Sequence, residues 1–336
     1  MGEKYFGETK KGEKIYIIKL ENNNGMEVSL LNYGCIVQSI TVPDKNGQST
    51  EVCLGYESLS EYENGDYYFG AFIGRNAGRI GGGRLNINGI DYQLERNNAG
   101  NNLHGGVDSF NTKVYDFTLG KNSVVFRRIS PDDEAGFPGN LDLSICYTLN
   151  EDNALEIEYK AVSDADTLVN LTNHAYFNLS GAKSGEIAGH MLKINAAEYL
   201  EIDENVLSTG AISSVTGTPF DFLEANLIGE RINEDNEQLR FGGGYDHCFV
   251  LEQAEGLRLA AAAASPENGI SLEVLTTQPC VQFYSGNFIK NGGGFVKRGG
   301  FCLETEHFPY ATDNKALLKK GKIYSHKTVY SFNCVN

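Results

Sequence analysis

The sequence predicts an all-β protein: a single domain over residues 1–336, folded as a large antiparallel β-sandwich with very little helix. Three observations carry that prediction. Apolar residues recur at every second position in short runs along most of the chain. Turn-forming residues separate those runs. The 39 glycines are spread throughout, with no linker, low-complexity tract or internal repeat to mark a second domain.

Taken in order, "KIYIIKL" and "EVSLLNYGCIVQSITV" read as the first strands and end at the turn Asp44-Lys45-Asn46-Gly47. "LNINGIDYQL" is a hairpin about Asn88-Gly89, a pair that tolerates the positive φ angles of a two-residue turn. "SVVFRRI", "LDLSICYTL" and "ALEIEYKAV" follow, separated by Pro131-Asp132-Asp133 and by Asn150 to Asn153. "HMLKINAAEYLEI" is also strand-like, and "DFLEANLIGERIN" (221–233) is a candidate short helix. In "GLRLAAAAASPENGI" the run Ala260 to Ala264 has the highest helix propensity of any residue type. A turn at Pro266 to Gly269 precedes the strand-like "ISLEVL", however, and a hairpin needs a strand on both sides. Residues 257–264 are therefore expected to be a strand, and "TVYSFNCV" closes the chain as another.

Bulk properties exclude several function classes. The net charge is −16 and the pI about 4.8, which repels a phosphate backbone and argues against a nucleic-acid partner. No apolar run approaches the ~20 residues of a membrane helix, and "MGEKYFGETKKGEKIYIIKL" lacks the pattern of a signal peptide. The seven cysteines (35, 53, 146, 248, 280, 302, 334) form no CxxC, and several lie in apolar stretches. Buried free thiols in a reducing cytoplasm are expected. The sequons Asn170-Leu171-Thr172 and Asn178-Leu179-Ser180 are then unused.

Of six histidines, four have unusual settings: His104 in "NNLHGG", His174 in "NLTNHAYFNLSG", His247 in "GGGYDHCFVL" and His307 in "CLETEHFPYATD". His190 and His326 are expected to be structural. Read as a strand, the second string sends Thr172, His174 and Tyr176 to one face and Asn173, Ala175 and Phe177 to the other. "GAFIGRNAGRIGGG" sets Arg75 and Arg79 among glycines, as an exposed rim would. It lacks the G-x-G-x-x-G fingerprint and the P-loop lysine, which argues against nucleotide binding. His104, His174, Asp246, Glu304 and His307 could converge, but no pair has local metal-ligand spacing. No G-x-S-x-G elbow is present, and Cys302 lies two residues from Glu304, the wrong setting for a thiolate. What remains is a carboxylate and imidazoles among neutral hydrogen-bonding groups, a composition suited to polyhydroxylated ligands and proton shuttling.

Seven strings occur together in order: "FGAFIGRNAGRI", "NNLHGG", "LTNHAYFNLSG", "GTPFDF", "GGYDHCFVL", "TTQPCVQFYSGN" and "FCLETEHFP". In this the chain resembles the aldose 1-epimerases (galactose mutarotases) over essentially its whole length. The resemblance implies a large antiparallel β-sandwich that interconverts the α and β anomers of free aldohexoses without cofactor or metal. It implies Glu304 as general base and His174 as general acid, with Arg79, His104, Asp246 and Gln278 holding the sugar. The partner implied is a small sugar, with no nucleic acid and no membrane, the protein being a monomer or homodimer. Glu304 would take the proton of the C1 hydroxyl as His174 gives one to the ring oxygen, and closure after rotation about C1–C2 would reverse both transfers. A nearby carboxylate, Asp246 or Glu304, is expected to raise the protonated fraction of His174.

Two positions depart from the family pattern. Gly78 stands where the family often has Asn, so an amide contact to the sugar is absent there. Glu306 and Tyr310 stand in place of a neutral amide and a carboxylate. In a strand, Glu306 would share a face with Glu304 and raise its pKa. The competing readings are a sugar-binding module without turnover and an enzyme of the hexose-6-phosphate epimerase type. The second would need a basic cluster, for which "KALLKKGKIYSHK" is the only candidate.

Overall fold

The computed structural model describes residues 2–310 and 316–334. The end of the "EHFPYATD" string, Lys315 of the lysine-rich stretch and Val335 of the last strand lie outside the described residues. Three antiparallel sheets dominate. A five-stranded meander joins Gly2–Glu8, Lys14–Glu21, Glu27–Leu31, Val37–Pro43 and Ser49–Glu51 in chain order. A nine-stranded sheet contains Asp116–Gly120, Ser123–Ser130, Leu141–Leu149 and Ala154–Ser163. The closing strand Ile323–Cys334 inserts next to them, followed by Ile270–Thr276, Arg258–Ala264, Met191–Ile194 and Asn226–Leu227. The third sheet runs Ser208–Ser214, Glu198–Ile202, Asp246–Val250, Cys280–Tyr284 and Cys302–Glu306.

One apolar cluster links all three. It takes Ile18, Leu20 and Val28 from the meander, Phe126, Tyr147, Ile157 and Tyr330 from the large sheet, and Phe249, Phe283 and Leu303 from the third. These are the inward positions of strands whose alternate residues face outward, as the period-two pattern requires. The expected all-β sandwich is therefore the observed architecture.

The Asn88-Gly89 hairpin forms, with positive φ at both residues (53° and 84°). The alanine run is a strand, Arg258–Ala264, paired on both sides with Met191–Ile194 and Ile270–Thr276. Strand pairing on both sides of residues 261–264 outweighs helix propensity there, because propensity differences are only ~0.5 kcal/mol per residue. In 221–233 only Ile228–Arg231 is helical. Two further short helices, Leu59–Asn64 and Glu237–Gly242, are capped by Ser58 and Asn236. All seven cysteines are unpaired.

One expectation is corrected. Arg75 is not on a rim but 2% exposed. Its guanidinium donates to Ser130 Oγ and O and to the carbonyls of Pro131 and Pro138, at 2.8–3.0 Å. It pins the 130–138 turn, where a buried cation is tolerable because every donor finds an oxygen.

Candidate active site

The segment 170–181 is threaded through the interior, and its amides explain how. Asn173 donates to Gly70 O and accepts from Ala175 N. Asn178 donates to Gly185 O and Gly299 O and accepts from Ser180 N and Ser184 Oγ. Asn170 and Asn178 are both fully buried, so neither sequon presents an acceptor nitrogen. Thr172–His174 pairs with Ala71–Ile73, and Phe177 bridges to Phe301 just before the strand Cys302–Glu306. His174 is thereby held against Glu304 from a segment more than a hundred residues away in sequence.

A cavity of about 440 Å³ opens at this junction. His174, Tyr176, Glu304 and Glu306 line it with Arg79, His104, Asp246, Gln282 and Tyr284. His174 Nε2 lies 3.6 Å from Glu304 Oε1, and its Nδ1 is 3.5 Å from Cys302 Sγ. The rings of Tyr68 and Tyr176 flank the imidazole at 5.8 and 5.0 Å and fix its plane. His104 enters from a left-handed residue (φ 53°), and its Nδ1 accepts from Gly78 N at 3.3 Å. Gly105 behind it must be glycine, because a Cβ would meet Gly74 O at 2.2 Å. Glycine here permits close backbone approach.

The polar wall continues as a chain of contacts. Arg79 Nε donates to Asn98 Oδ1 at 3.2 Å, and its Nη1 lies 3.8 Å from Asp246 Oδ2. Asp246 Oδ1 accepts from Gln282 Nε2 at 2.7 Å. Gln282 stands opposite Glu304 in the ladder. Here a second expectation is corrected: Gln278 does not line the cavity. It lies in the turn before the strand, fully buried, and donates to Tyr324 Oη at 2.7 Å. Gln282 occupies the wall instead. Strand alternation held the signal, since Gln282 and Tyr284 alternate with the core residues Val281 and Phe283.

Tyr310 is also outside the cavity, bonded through its hydroxyl to the backbone of Asn86. His190 accepts from Leu179 N and Ser180 N, and His326 pairs with Thr277 Oγ1, so both are structural as expected. His247 and His307 do not line the cavity.

Burial governs the electrostatics. It pushes His174 down to about 4, which corrects the expectation that Asp246 or Glu304 raises the protonated fraction of the imidazole in the free protein. Burial pushes Glu304 well above the usual carboxylate range, assisted by Glu306 and then Asp246 and opposed by Arg79. Burial thus favours the tautomer in which a proton shared by the pair sits on Glu304 rather than on His174. Glu306, on the same strand face, is raised by burial and Asp246 to about 8. Removing its charge with Glu306→Gln is expected to let Glu304 ionise sooner, moving the alkaline limb of kcat/KM to lower pH, with the difference developing above pH 8. A profile unchanged in that variant would show that the two carboxyls are not coupled.

His104, His174 and Glu304 offer ligand atoms within 4.8 Å of one another, a set that could meet a cation. The Gly78 N–H directed at His104 Nδ1, however, leaves the ring hydrogen on Nε2. That suits a donor to a hydroxyl better than a metal ligand. Among the described residues Arg79 is the only Lys or Arg side chain lining the cavity, beside the acids Asp66, Glu204, Asp246, Glu304 and Glu306. Lys319 and Lys327 of the lysine-rich stretch pair elsewhere, with Asp166 and Glu156. The cavity therefore suits a neutral, hydroxyl-rich molecule and disfavours a phosphorylated one.

The family model described as aldose 1-epimerase matches residues 16–331. A galactose mutarotase from Bos taurus is 39% identical over 318 residues, covering 92% of this chain and 91% of the bovine one. An aldose 1-epimerase from Escherichia coli (strain K12) is 36% identical, with 96% of each chain covered. Among solved structures, a galactose 1-epimerase from Lactobacillus acidophilus NCFM superposes with a TM-score of 0.89 at 29% identity, covering 100% of this chain and 99% of its own. An aldose epimerase homologue from C. elegans gives 0.88 at 30% identity, with 95% and 99% covered.

Proposed function

The chain belongs to the aldose 1-epimerase family, and on that footing we propose that Glu304 and His174 exchange the protons by which it interconverts the anomers of free aldohexoses, galactose and glucose among them. The protein is an isomerase. The observation that carries the assignment is the 3.6 Å contact between His174 Nε2 and Glu304 Oε1 in the wall of a buried polar cavity.

Opening a hemiacetal removes a proton from O1 and adds one to the ring oxygen, breaking C1–O5 as C1=O forms. The total number of protons on the enzyme does not change. A pair that shares one proton meets this requirement in either of its two tautomers. Burial favours protonated Glu304 with neutral His174 in the free protein. That is the state the pair occupies beside the open-chain aldehyde. An O1–H donating to Glu304, with the ring oxygen accepting from His174, favours the other tautomer, carboxylate and imidazolium, from which ring opening starts. Arg79, His104, Asp246 and Gln282 hold the remaining hydroxyls, so that the sugar can turn about C1–C2 and close on the opposite face. Balance is complete without redox equivalents or a leaving group.

No helix among the described residues is long and apolar enough to cross a membrane. Separately, the seven unpaired thiols support a cytoplasmic setting. Polarimetry of freshly dissolved α-D-galactose and α-D-glucose, beside their 6-phosphates, tests the function. Free sugars should reach equilibrium faster than in buffer, and the phosphates should gain far less. Equal or greater acceleration of the phosphates would overturn the substrate class. No acceleration of any sugar would leave a binding module.

A further inference from the structure

Asn98 lines the same cavity, half-buried, in a tight loop between the cavity wall and solvent. The loop is not loosely held. Asn97 N and Asn98 N both donate to Asn101 O, and Asn101 N returns a bond to Asn98 O at 2.8 Å. The Asn97 side chain clamps Leu103 through both its N–H and its C=O. Asn101 Oδ1 in turn accepts from Gly82 N. The position of Asn98 is therefore set by backbone.

Its side-chain orientation is set as well. Arg79 Nε can only donate, so the atom of Asn98 that faces it must be Oδ1. The amide nitrogen is then turned away from Arg79, and no group among the described residues accepts from it. Gly78, the neighbour of Arg79 in sequence, lines the same cavity and leaves room there, since a Cβ built on it meets nothing within 4 Å. The same wall thus carries a neutral donor, held through its oxygen by Arg79, whose two amide hydrogens have no acceptor among the described residues. A neutral polyhydroxylated ligand is the chemistry that would accept them.

We propose that Asn98 is a substrate-binding residue, its amide N–H donating to a hydroxyl of the sugar while Arg79 holds the amide in the required orientation. The inference rests on the sugar-isomerase reading of the cavity. It extends the polar wall to four side chains linked in series by their contacts, Asn98, Arg79, Asp246 and Gln282. Because the contact lies in the wall rather than at the reacting atoms, it acts on binding of cyclic and open sugar alike. Its loss should appear in KM and not in kcat.

Asn98→Ala and Asn98→Asp separate this role from a merely structural one. Aspartate keeps an oxygen for Arg79 but has no hydrogen to donate. Both variants should weaken galactose binding and raise KM about 2- to 10-fold, with kcat within about 2-fold of the parent. Restoration of parental KM by Asn98→Asp would mean that the side chain only positions Arg79, and would overturn the proposal. A set of monodeoxygalactoses supplies the second arm. One of them should lose little further affinity on Asn98→Ala, because the hydroxyl it lacks is the one the amide holds. Equal losses across the whole set would also overturn it. Calorimetric Kd values read binding independently of turnover. A parent protein that binds galactose but does not accelerate mutarotation would therefore count against the catalytic reading alone.

Discussion

Glu304→Gln is expected to lower kcat for galactose mutarotation by about 10²–10⁴-fold while leaving sugar affinity within a few-fold of the parent. The amide keeps the shape of the carboxyl and can still accept a hydrogen bond from O1, but it neither takes up nor returns a proton. The fall should be in kcat because the lost interaction exists only as O1 changes charge. Glu304 is 3% exposed, with Glu306 on the same strand face and Asp246 also in the cavity wall. Replacing a carboxyl that two other acids disfavour by a neutral group should not destabilise the strand. Steady-state polarimetry with calorimetric binding checks both parts. Near-normal turnover would remove Glu304 from the chemistry.

His174→Asn should cost a similar factor, about 10²–10⁴-fold in kcat, and the double variant with Glu304→Gln should be little worse than either single one. Two residues that exchange one proton work as a unit, so that losing either stops the cycle. Multiplicative losses would mean that the two act independently. The acid side of the parent's kcat/KM profile bears on the same point. Below a pH of about 4 His174 takes up a proton while Glu304 still holds its own, and the pair then has no base left. Activity should fall as pH drops through that value, with circular dichroism separating this from unfolding.

Much of this was legible in the residues. Alternation identified most of the strands, and the turn at Pro266 to Gly269, which needs a strand on both sides, identified the alanine run against its own propensity. Alternation also placed Glu304 and Glu306 on one face, and both line the cavity. Three features were hidden for physical reasons. Arg75 and Arg79 look alike among their glycines, yet only the fold decides which guanidinium meets the carbonyls of a distant turn and which meets the cavity. Gln278 and Gln282 sit four residues apart in one string. They are separated only by where the strand begins, at Cys280. The protonation of His174 depends on burial: Tyr176 shares the face of His174 in the sequence itself, but Tyr68 and Tyr284, which also pack against the imidazole, come from segments about a hundred residues away on either side. Local sequence cannot report the desolvation that distant rings impose.

The central claim is that Glu304 and His174 interchange the proton that turns one anomer into the other. Magnetisation exchange between the α and β anomeric protons of galactose at equilibrium reads that interconversion without any coupled assay. With the parent protein, exchange cross-peaks should appear at mixing times where buffer gives none. With Glu304→Gln at saturating sugar they should vanish although binding is retained. Cross-peaks of parental intensity in that variant would contradict the account.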